Sequence, residues 1–347
     1  MAPMPSILRL LLGTDPTIAG FRTGRWRWPW AMLATAATIG FFAVFTLLDM
    51  ELLKVILAPD GGWMEVEGTA LLRPGHLFDY AAIVAIWLAM PIGGLLALRL
   101  VKGDPVHLAL TQTGRFHADD FIKSAAALLV VYGLSTVIGY ALDPASYQMP
   151  DRAPGFLAWL ALGVAVILVQ SASEEIFFRG VLFRIWGAVV PARLIIAVIM
   201  GVFIAMHIPN ADVQIDVGTA VAVFVISEII AYWILLRTKC LAAPMGLHWM
   251  NNVFAFFLVA SLPAGDTDAA LFVYTDPIYA AGGSRFLDPW THALTAIATA
   301  LLLVLLFWQR SPLHLPRRAV MAAAAPARDA VTPSTPGASE ETRDHAS

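Results

Sequence analysis

Eight long apolar stretches constrain the fold of this chain more than any other feature. A helix needs about 20 mainly apolar residues to cross a hydrocarbon core of about 30 Å. Hydrophobic residues make up 59% of the chain and charged residues only 14%. We therefore predict an all-α fold, a polytopic membrane bundle of about eight transmembrane helices with an intramembrane cavity. The predicted spans lie near 29–48, 78–100, 121–142, 155–178, 193–208, 217–236, 240–261 and 288–308.

The basic residues divide unequally between the two sides of this eight-span arrangement. One side carries 18 of the 22 lysines and arginines, including those of both terminal segments. The other side keeps only four: Lys54, Arg73, Arg152 and Arg285. Cytoplasmic loops of membrane proteins are enriched in lysine and arginine. We therefore expect both termini in the cytoplasm, and the composition favours a bacterial inner (plasma) membrane.

A charged cluster interrupts the fourth apolar stretch in the sequence SASEEIFFRG, residues 171–180. Charged groups at bilayer depth cost about 2.5–3.5 kcal/mol each on insertion scales, and they usually face a bundle interior or a wet cavity. Glu175 and Arg179 are four residues apart and share a helical face, which predicts an ion pair. Glu174 points about 100° away and stays available for proton chemistry. A helix end that surfaces among lipid headgroups would explain the same charges without any chemistry.

Two later spans carry further polar pairs at helical spacing. Phe203 and His207 lie four apart in FIAMH, and His248 and Asn252 lie four apart in HWMNN. A carboxylate with a histidine can deprotonate water, and a second histidine with a carboxamide can donate to a developing oxyanion. Three successive spans thus supply groups that could hydrolyse an amide. The alternative is that each histidine only packs and forms hydrogen bonds within the bundle.

These three motifs together resemble those of a known family. EEIFFRG fits EExxxR, FIAMH fits FxxxH and HWMNN fits HxxxN of the CAAX-processing and bacteriocin-processing (CPBP) family of intramembrane proteases. The resemblance is to the type 2, Ras-converting kind of CAAX prenyl endopeptidase, and it spans roughly residues 120–262. It implies a helical bundle with a conical cavity that opens toward the cytoplasm.

The resemblance also implies a role for each motif residue. Glu174 and His207 would activate water, and His248 and Asn252 would stabilise the tetrahedral intermediate. Glu175, Arg179 and Phe203 would support them. The family pattern is that of a glutamic protease without cofactor or metal, and HExxH is absent here. Glu174, His207 and His248 would also form a plausible zinc set, so the sequence leaves a metal-dependent mechanism open.

Two polar residues near the motifs are harder to interpret. Glu228 lies near the middle of the sixth span, where an unpaired carboxyl tends to hold a proton. We expect it to be a neutral structural residue, with a role in the cavity as the alternative. Asn251 points to another helix face than Asn252, and a register shift of one residue would exchange their roles.

We divide the chain into five parts on these grounds. They are a cytoplasmic N-terminal segment 1–28, accessory helices and a loop in 29–118, a protease core in 119–262, an outer loop and last helix in 263–310, and a disordered cytoplasmic tail in 311–347. The tail is rich in Ala, Pro, Ser and Thr and has too little apolar surface to fold.

The leading hypothesis is an intramembrane endopeptidase that cleaves a membrane-associated or prenylated peptide. The alternative is a non-catalytic peptide-binding or bacteriocin-immunity protein in which the polar cluster only joins helices. A transporter ranks third, because neither inverted repeats nor paired broken helices are present. The expected partners are the lipid bilayer and a peptide or protein substrate, and nothing indicates nucleic acid. The sequence does not fix the oligomeric state or name the substrate.

Overall fold

A computed structural model of the chain describes residues 28–57, 77–102, 105–152, 155–187, 189–209, 217–261, 270–275 and 289–307. Its α-helices are α1 Trp28–Leu57, α2 Leu77–Ala97, α3 Ala118–Leu142, α4 Phe156–Glu174, α5 Phe183–Gly187, α6 Ala192–His207, α7 Val217–Thr238, α8 Ala242–Val253 and α9 Pro289–Phe307. Three π-helical segments continue α2, α4 and α8: Leu98–Lys102, Glu175–Leu182 and Phe254–Leu258. The predicted tail 311–347 and most of the predicted segment 1–28 lie outside the described residues.

The predicted polytopic helical membrane fold is confirmed. Every predicted span contains a helix. Among the described residues, five helical segments are long and apolar enough to cross a membrane: Trp28–Asp49, Tyr80–Val101, Ala118–Leu142, Phe156–Gly187 and Ala220–Thr238. Helices satisfy their own backbone hydrogen bonds, as a lipid environment requires. Two shorter apolar helices, Leu194–His207 and Leu294–Phe307, match the fifth and eighth predicted spans. The count of eight crossing helices stays a prediction.

The seventh predicted span, 240–261, differs from a continuous helix. It runs as α8, loosens into the π-helical segment Phe254–Leu258 and ends in a strand, β2 Val259–Ser261. This strand pairs in parallel with β3 Phe272–Tyr274, and β3 pairs antiparallel with β1 Tyr147–Gln148. A small three-stranded sheet of order β1-β3-β2 therefore joins the end of α8 to the segment that follows α3.

Close backbone approach fixes α8 against α3. A Cβ atom added to Gly246 would lie 2.1 Å from the carbonyl oxygen of Phe121. Real Cβ atoms do not approach backbone oxygens so closely, so this contact needs glycine. The main core cluster joins α8 to α4 as well, through side chains that include Val166, Leu247 and Phe257. The helix that carries HWMNN is thus held between α3 and α4.

Candidate active site

The charged cluster lies where α4 changes into a π-helix. Glu174 is the last residue of α4, and Glu175 begins the π-helical segment that contains Arg179. The side chains of Glu174 and Glu175 are 2% and 1% exposed. Single π-helical turns inside α-helices occur frequently at functional sites. The sequence did not predict this widening of the helix.

Arg179 joins two buried carboxylates from different helices. Its Nη1 donates to Glu175 Oε1, and its Nη2 donates to Glu228 Oε1 of α7. The guanidinium also lies over the ring of Tyr232, 5.2 Å from the ring centre. The expectation of an unpaired Glu228 is therefore not met, because the rotation of α7 turns this carboxylate toward Arg179. Sequence periodicity within α7 carries no information on that partner.

His248 lies between the two adjacent glutamates. Its Nδ1 is 2.9 Å from Glu175 Oε1, and its Nε2 is 3.5 Å from Glu174 Oε2. A carboxylate accepts hydrogen bonds, so Nδ1 carries the hydrogen in the first contact. This contact fixes the orientation of the ring and directs Nε2 toward Glu174.

His207, the last residue of α6, approaches the cluster from another side. Its Nδ1 lies 2.7 Å from the carbonyl oxygen of Phe203, so Nδ1 carries a hydrogen and Nε2 is left to accept a proton. Its ring packs against Phe203 and Phe224, at centroid distances of 4.4 and 5.0 Å. The Phe203 ring also lies 6.1 Å from the His248 ring between centroids, so His207 and His248 are on either side of one aromatic side chain. Within the described residues, no direct hydrogen bond joins His207 to Glu174.

Asn252 contacts α4 through a residue that the sequence reading missed. Its Nδ2 donates to Gln170 Oε1 at 3.0 Å and to Ser171 Oγ at 3.3 Å. Gln170 Nε2 in turn donates to Glu174 Oε1. The signal was present in the sequence, because Gln170 precedes Glu174 by four residues and so shares its helical face.

Asn251 faces a different helix. Its Oδ1 accepts a hydrogen bond from the Tyr132 hydroxyl of α3 at 3.2 Å, and its Nδ2 donates to Asn252 Oδ1 at 3.2 Å. The register of α8 therefore directs Asn252, and not Asn251, toward Glu174 and its partners.

Several buried polar atoms of the cluster have no hydrogen-bond partner within the described residues. They include Oε2 of Glu174 and of Glu175. Buried polar atoms are nearly always hydrogen-bonded, so such atoms mark places where water or a substrate group can bind. Glu174 Oε2 also lies 3.5 Å from His248 Nε2. The cluster can therefore present one carboxylate oxygen and imidazole nitrogens to a reacting molecule.

Glu174, His207 and His248 carry the kinds of ligand atom that zinc binds, but these atoms are too far apart to hold one ion. Each histidine gives its Nδ1 hydrogen to an oxygen, as zinc-binding histidines do. The donor atoms of Glu174, His207 and His248, however, do not all lie within 4.8 Å of one another. Among the described residues, His117, Asp119 and Asp120 at the start of α3 do converge this closely. Glu174, His207 and His248 therefore do not form a zinc site in this arrangement.

A cavity of about 20 Å³ borders Arg179 on the side of Gly180 and residues 108–112. It has room for about one water molecule. It is therefore not the conical, peptide-sized cavity that the resemblance implies, and that cavity stays a prediction.

Comparison with known proteins agrees with the three motifs. Residues 156–254 match the type II CAAX prenyl endopeptidase Rce1-like family. This Rce1-like segment contains all the predicted site residues, from Glu174 to Asn252. The predicted resemblance is thus confirmed, and it supports a CAAX-type protease kind of function.

A protein of Bacillus subtilis (strain 168), described as uncharacterized protein YyaK, is 24% identical over 181 residues. The alignment covers 52% of this chain and 58% of that protein. The chain therefore spans little more than half of this relative, whose name states no activity. No solved structure matches the chain.

Proposed function

We propose that this protein is an intramembrane endopeptidase of glutamic type that cleaves a membrane-associated or prenylated peptide. The observation that carries the proposal is the position of Glu174. Its Oε1 is held by Gln170, whereas its Oε2 has no hydrogen-bond partner in the described part of the chain and lies toward His248. One buried carboxylate oxygen is thus positioned and the other is available to a water molecule.

In the proposed reaction, Glu174 Oε2 takes a proton from a water molecule while the water oxygen attacks the peptide carbonyl carbon. His207 Nε2 orients the same water molecule as a second acceptor. The carbonyl oxygen becomes an oxyanion as the carbon becomes tetrahedral. Collapse of this intermediate breaks the carbon–nitrogen bond, and the proton on Glu174 passes to the leaving amine.

The oxyanion is stabilised by hydrogen-bond donors of α8. His248 already donates through Nδ1 to Glu175, so it donates through Nε2 when its ring carries both hydrogens. Asn252 uses both amide hydrogens within the protein, one to Gln170 and one to Ser171. To donate a hydrogen bond to the oxyanion, Asn252 gives up the longer of these two hydrogen bonds, the one to Ser171.

We place the reaction near the cytoplasmic boundary of a bacterial plasma membrane, with both termini in the cytoplasm. The unequal distribution of basic residues supports this orientation. A prenylated or otherwise lipid-anchored peptide would reach a buried site from the bilayer. The Rce1-like match supports such a substrate class.

The test compares membrane peptides from cells with wild-type protein, Glu174→Gln or Trp249→Phe. Glutamine keeps the volume of Glu174 and the oxygen that accepts from Gln170, so the variant should fold, but it cannot take a proton. Trp249→Phe removes a different hydrogen bond between α8 and α4, to Val164. We expect cleavage products to disappear only with Glu174→Gln. Identical products from all three proteins would exclude the proposal and favour a binding protein.

A further inference from the structure

Gln170 occupies a central position among the candidate catalytic groups. It lies on α4, one helical turn before Glu174, and it faces Asn252 of α8. It belongs to none of the three motifs and was not predicted. Its side chain is the direct link between Glu174 and Asn252.

The carboxamide of Gln170 is fixed at both of its ends. Its Oε1 accepts from Asn252 Nδ2 at 3.0 Å and from Ser171 Oγ at 3.2 Å. These contacts determine which way the amide plane points. Its Nε2 is thereby directed to Glu174 Oε1, to which it donates. The carboxamide accepts from Asn252 through its oxygen and donates to Glu174 through its nitrogen, so one side chain serves both partners.

The hydrogen bond from Gln170 to Glu174 Oε1 also determines where Glu174 Oε2 points. A carboxylate whose Oε1 is anchored has a fixed plane, so the direction of Oε2 is also fixed. Oε2 is the oxygen near His248 Nε2, at 3.5 Å, and it is the oxygen that takes the proton in the proposed reaction. An error of about 1 Å in the position of a catalytic group can reduce the rate about 100-fold.

From this geometry we infer that Gln170 is a positioning residue, which orients the Glu174 carboxylate and the Asn252 carboxamide toward one reacting carbonyl. The inference rests on the proposed function. It differs from a purely structural role, in which Gln170 would only attach α8 to α4. The Trp249 hydrogen bond to Val164 supplies such an attachment between the same two helices, without contacting the cluster.

The experiment measures kcat and KM separately for a farnesylated fluorogenic CAAX peptide and protein in liposomes. Gln170→Met keeps approximate length and removes both hydrogen bonds. Gln170→Ala also removes both hydrogen bonds, because its side chain is too short to reach Glu174 or Asn252. Trp249→Phe is the matched control. We expect a fall in kcat of roughly 10- to 100-fold for both Gln170 variants, with little change in KM, and a kcat near wild type for Trp249→Phe.

A kcat for Gln170→Met equal to that of Trp249→Phe would overturn the positioning role. If Gln170→Met does not accumulate, Gln170→Ala decides the question, and a wild-type kcat for that variant overturns the role. Glu174→Gln separates this result from a failure of the proposed function. Turnover by Glu174→Gln at the wild-type rate, or no turnover by the wild-type protein, rejects the proposed function and the inference with it. Loss of turnover in Glu174→Gln with normal kcat in Gln170→Met rejects the inference alone.

Discussion

His248 shares one oxygen atom of Glu175 with Arg179. The His248 Nδ1 atom lies 2.9 Å from Glu175 Oε1, which also accepts from Arg179 Nη1. The imidazole is thus attached to a buried ion pair, and that ion pair extends to Glu228 on α7. Hydrogen bonds and ion pairs therefore connect the π-helical segment that continues α4 with α7 and α8 at the candidate site.

The first prediction concerns the charge of Glu175. Glu175→Gln replaces the charged acceptor of His248 with a neutral amide oxygen, so the hydrogen bond that fixes the orientation of the ring becomes weaker. We expect kcat to fall on the order of 10-fold or more, because charge-assisted hydrogen bonds are about twice as strong as neutral ones. The measurement is steady-state turnover of a farnesylated peptide in liposomes.

The matched control for Glu175→Gln is Glu228→Gln. Both variants remove one carboxylate from Arg179, but only Glu175 contacts His248. We expect Glu228→Gln to retain more activity. Equal losses of kcat in the two variants would show that the rate depends on the number of carboxylates that neutralise Arg179, and not on the contact between Glu175 and His248.

The second prediction concerns the stabilising role of Glu228. Glu228→Ala leaves Arg179 buried with one carboxylate in place of two. Removing one partner of a buried ion pair costs about 3–5 kcal/mol, and the remaining Glu175 contact should keep the loss toward the lower end. The measurement is the thermal midpoint in detergent. Ile229→Ala, at the neighbouring exposed position, is the control. If the thermal midpoint of Glu228→Ala equals that of Ile229→Ala, the ion pair between Glu228 and Arg179 does not stabilise the protein.

The third prediction separates the packing of His207 from its chemistry. His207→Phe preserves a ring that can pack against Phe203 and Phe224 but has no nitrogen to accept a proton. We expect the thermal midpoint to stay near that of wild type while kcat falls about 100-fold, the lower end of the range for side chains that take part in proton transfer, because the attacking water molecule loses its second acceptor. His207→Ala, which also loses the ring, should lower both. Turnover by His207→Phe at the wild-type rate would remove His207 from the mechanism.

The sequence was sufficient for contacts within one helix. The apolar stretches predicted where the helices lie, and the spacing of Glu175 and Arg179 predicted their pairing, because residues four apart on a helix are neighbours whatever surrounds them. The same rule, applied one turn earlier, would have indicated Gln170 as a partner of Glu174. Nothing beyond helical periodicity is needed for these contacts.

Contacts between helices could not be predicted in this way. The pairing of Glu228 with Arg179 and of His248 with Glu175 depends on how α7 and α8 are rotated against α4. That rotation results from packing of many apolar side chains, which the order of residues in a single helix does not specify. The π-helical segment at Glu175–Leu182 and the short strand Val259–Ser261 likewise depend on neighbouring elements. The hydrophobic pattern alone predicts a regular helix at both places.

The last prediction tests how α8 is held against α3. Gly246→Ala would place a Cβ atom 2.1 Å from the Phe121 carbonyl oxygen, and a backbone atom cannot move aside as a side chain can. The two helices must separate, which displaces His248 two residues further along α8. We expect a lower thermal midpoint together with a lower kcat. Gly133→Ala in α3 is the control, because a Cβ atom there meets nothing within 4 Å. That variant should gain about 0.5–1 kcal/mol from the higher helix propensity of alanine. If both alanine variants raise the midpoint and leave kcat unchanged, α8 does not approach α3 as closely as the structure has it.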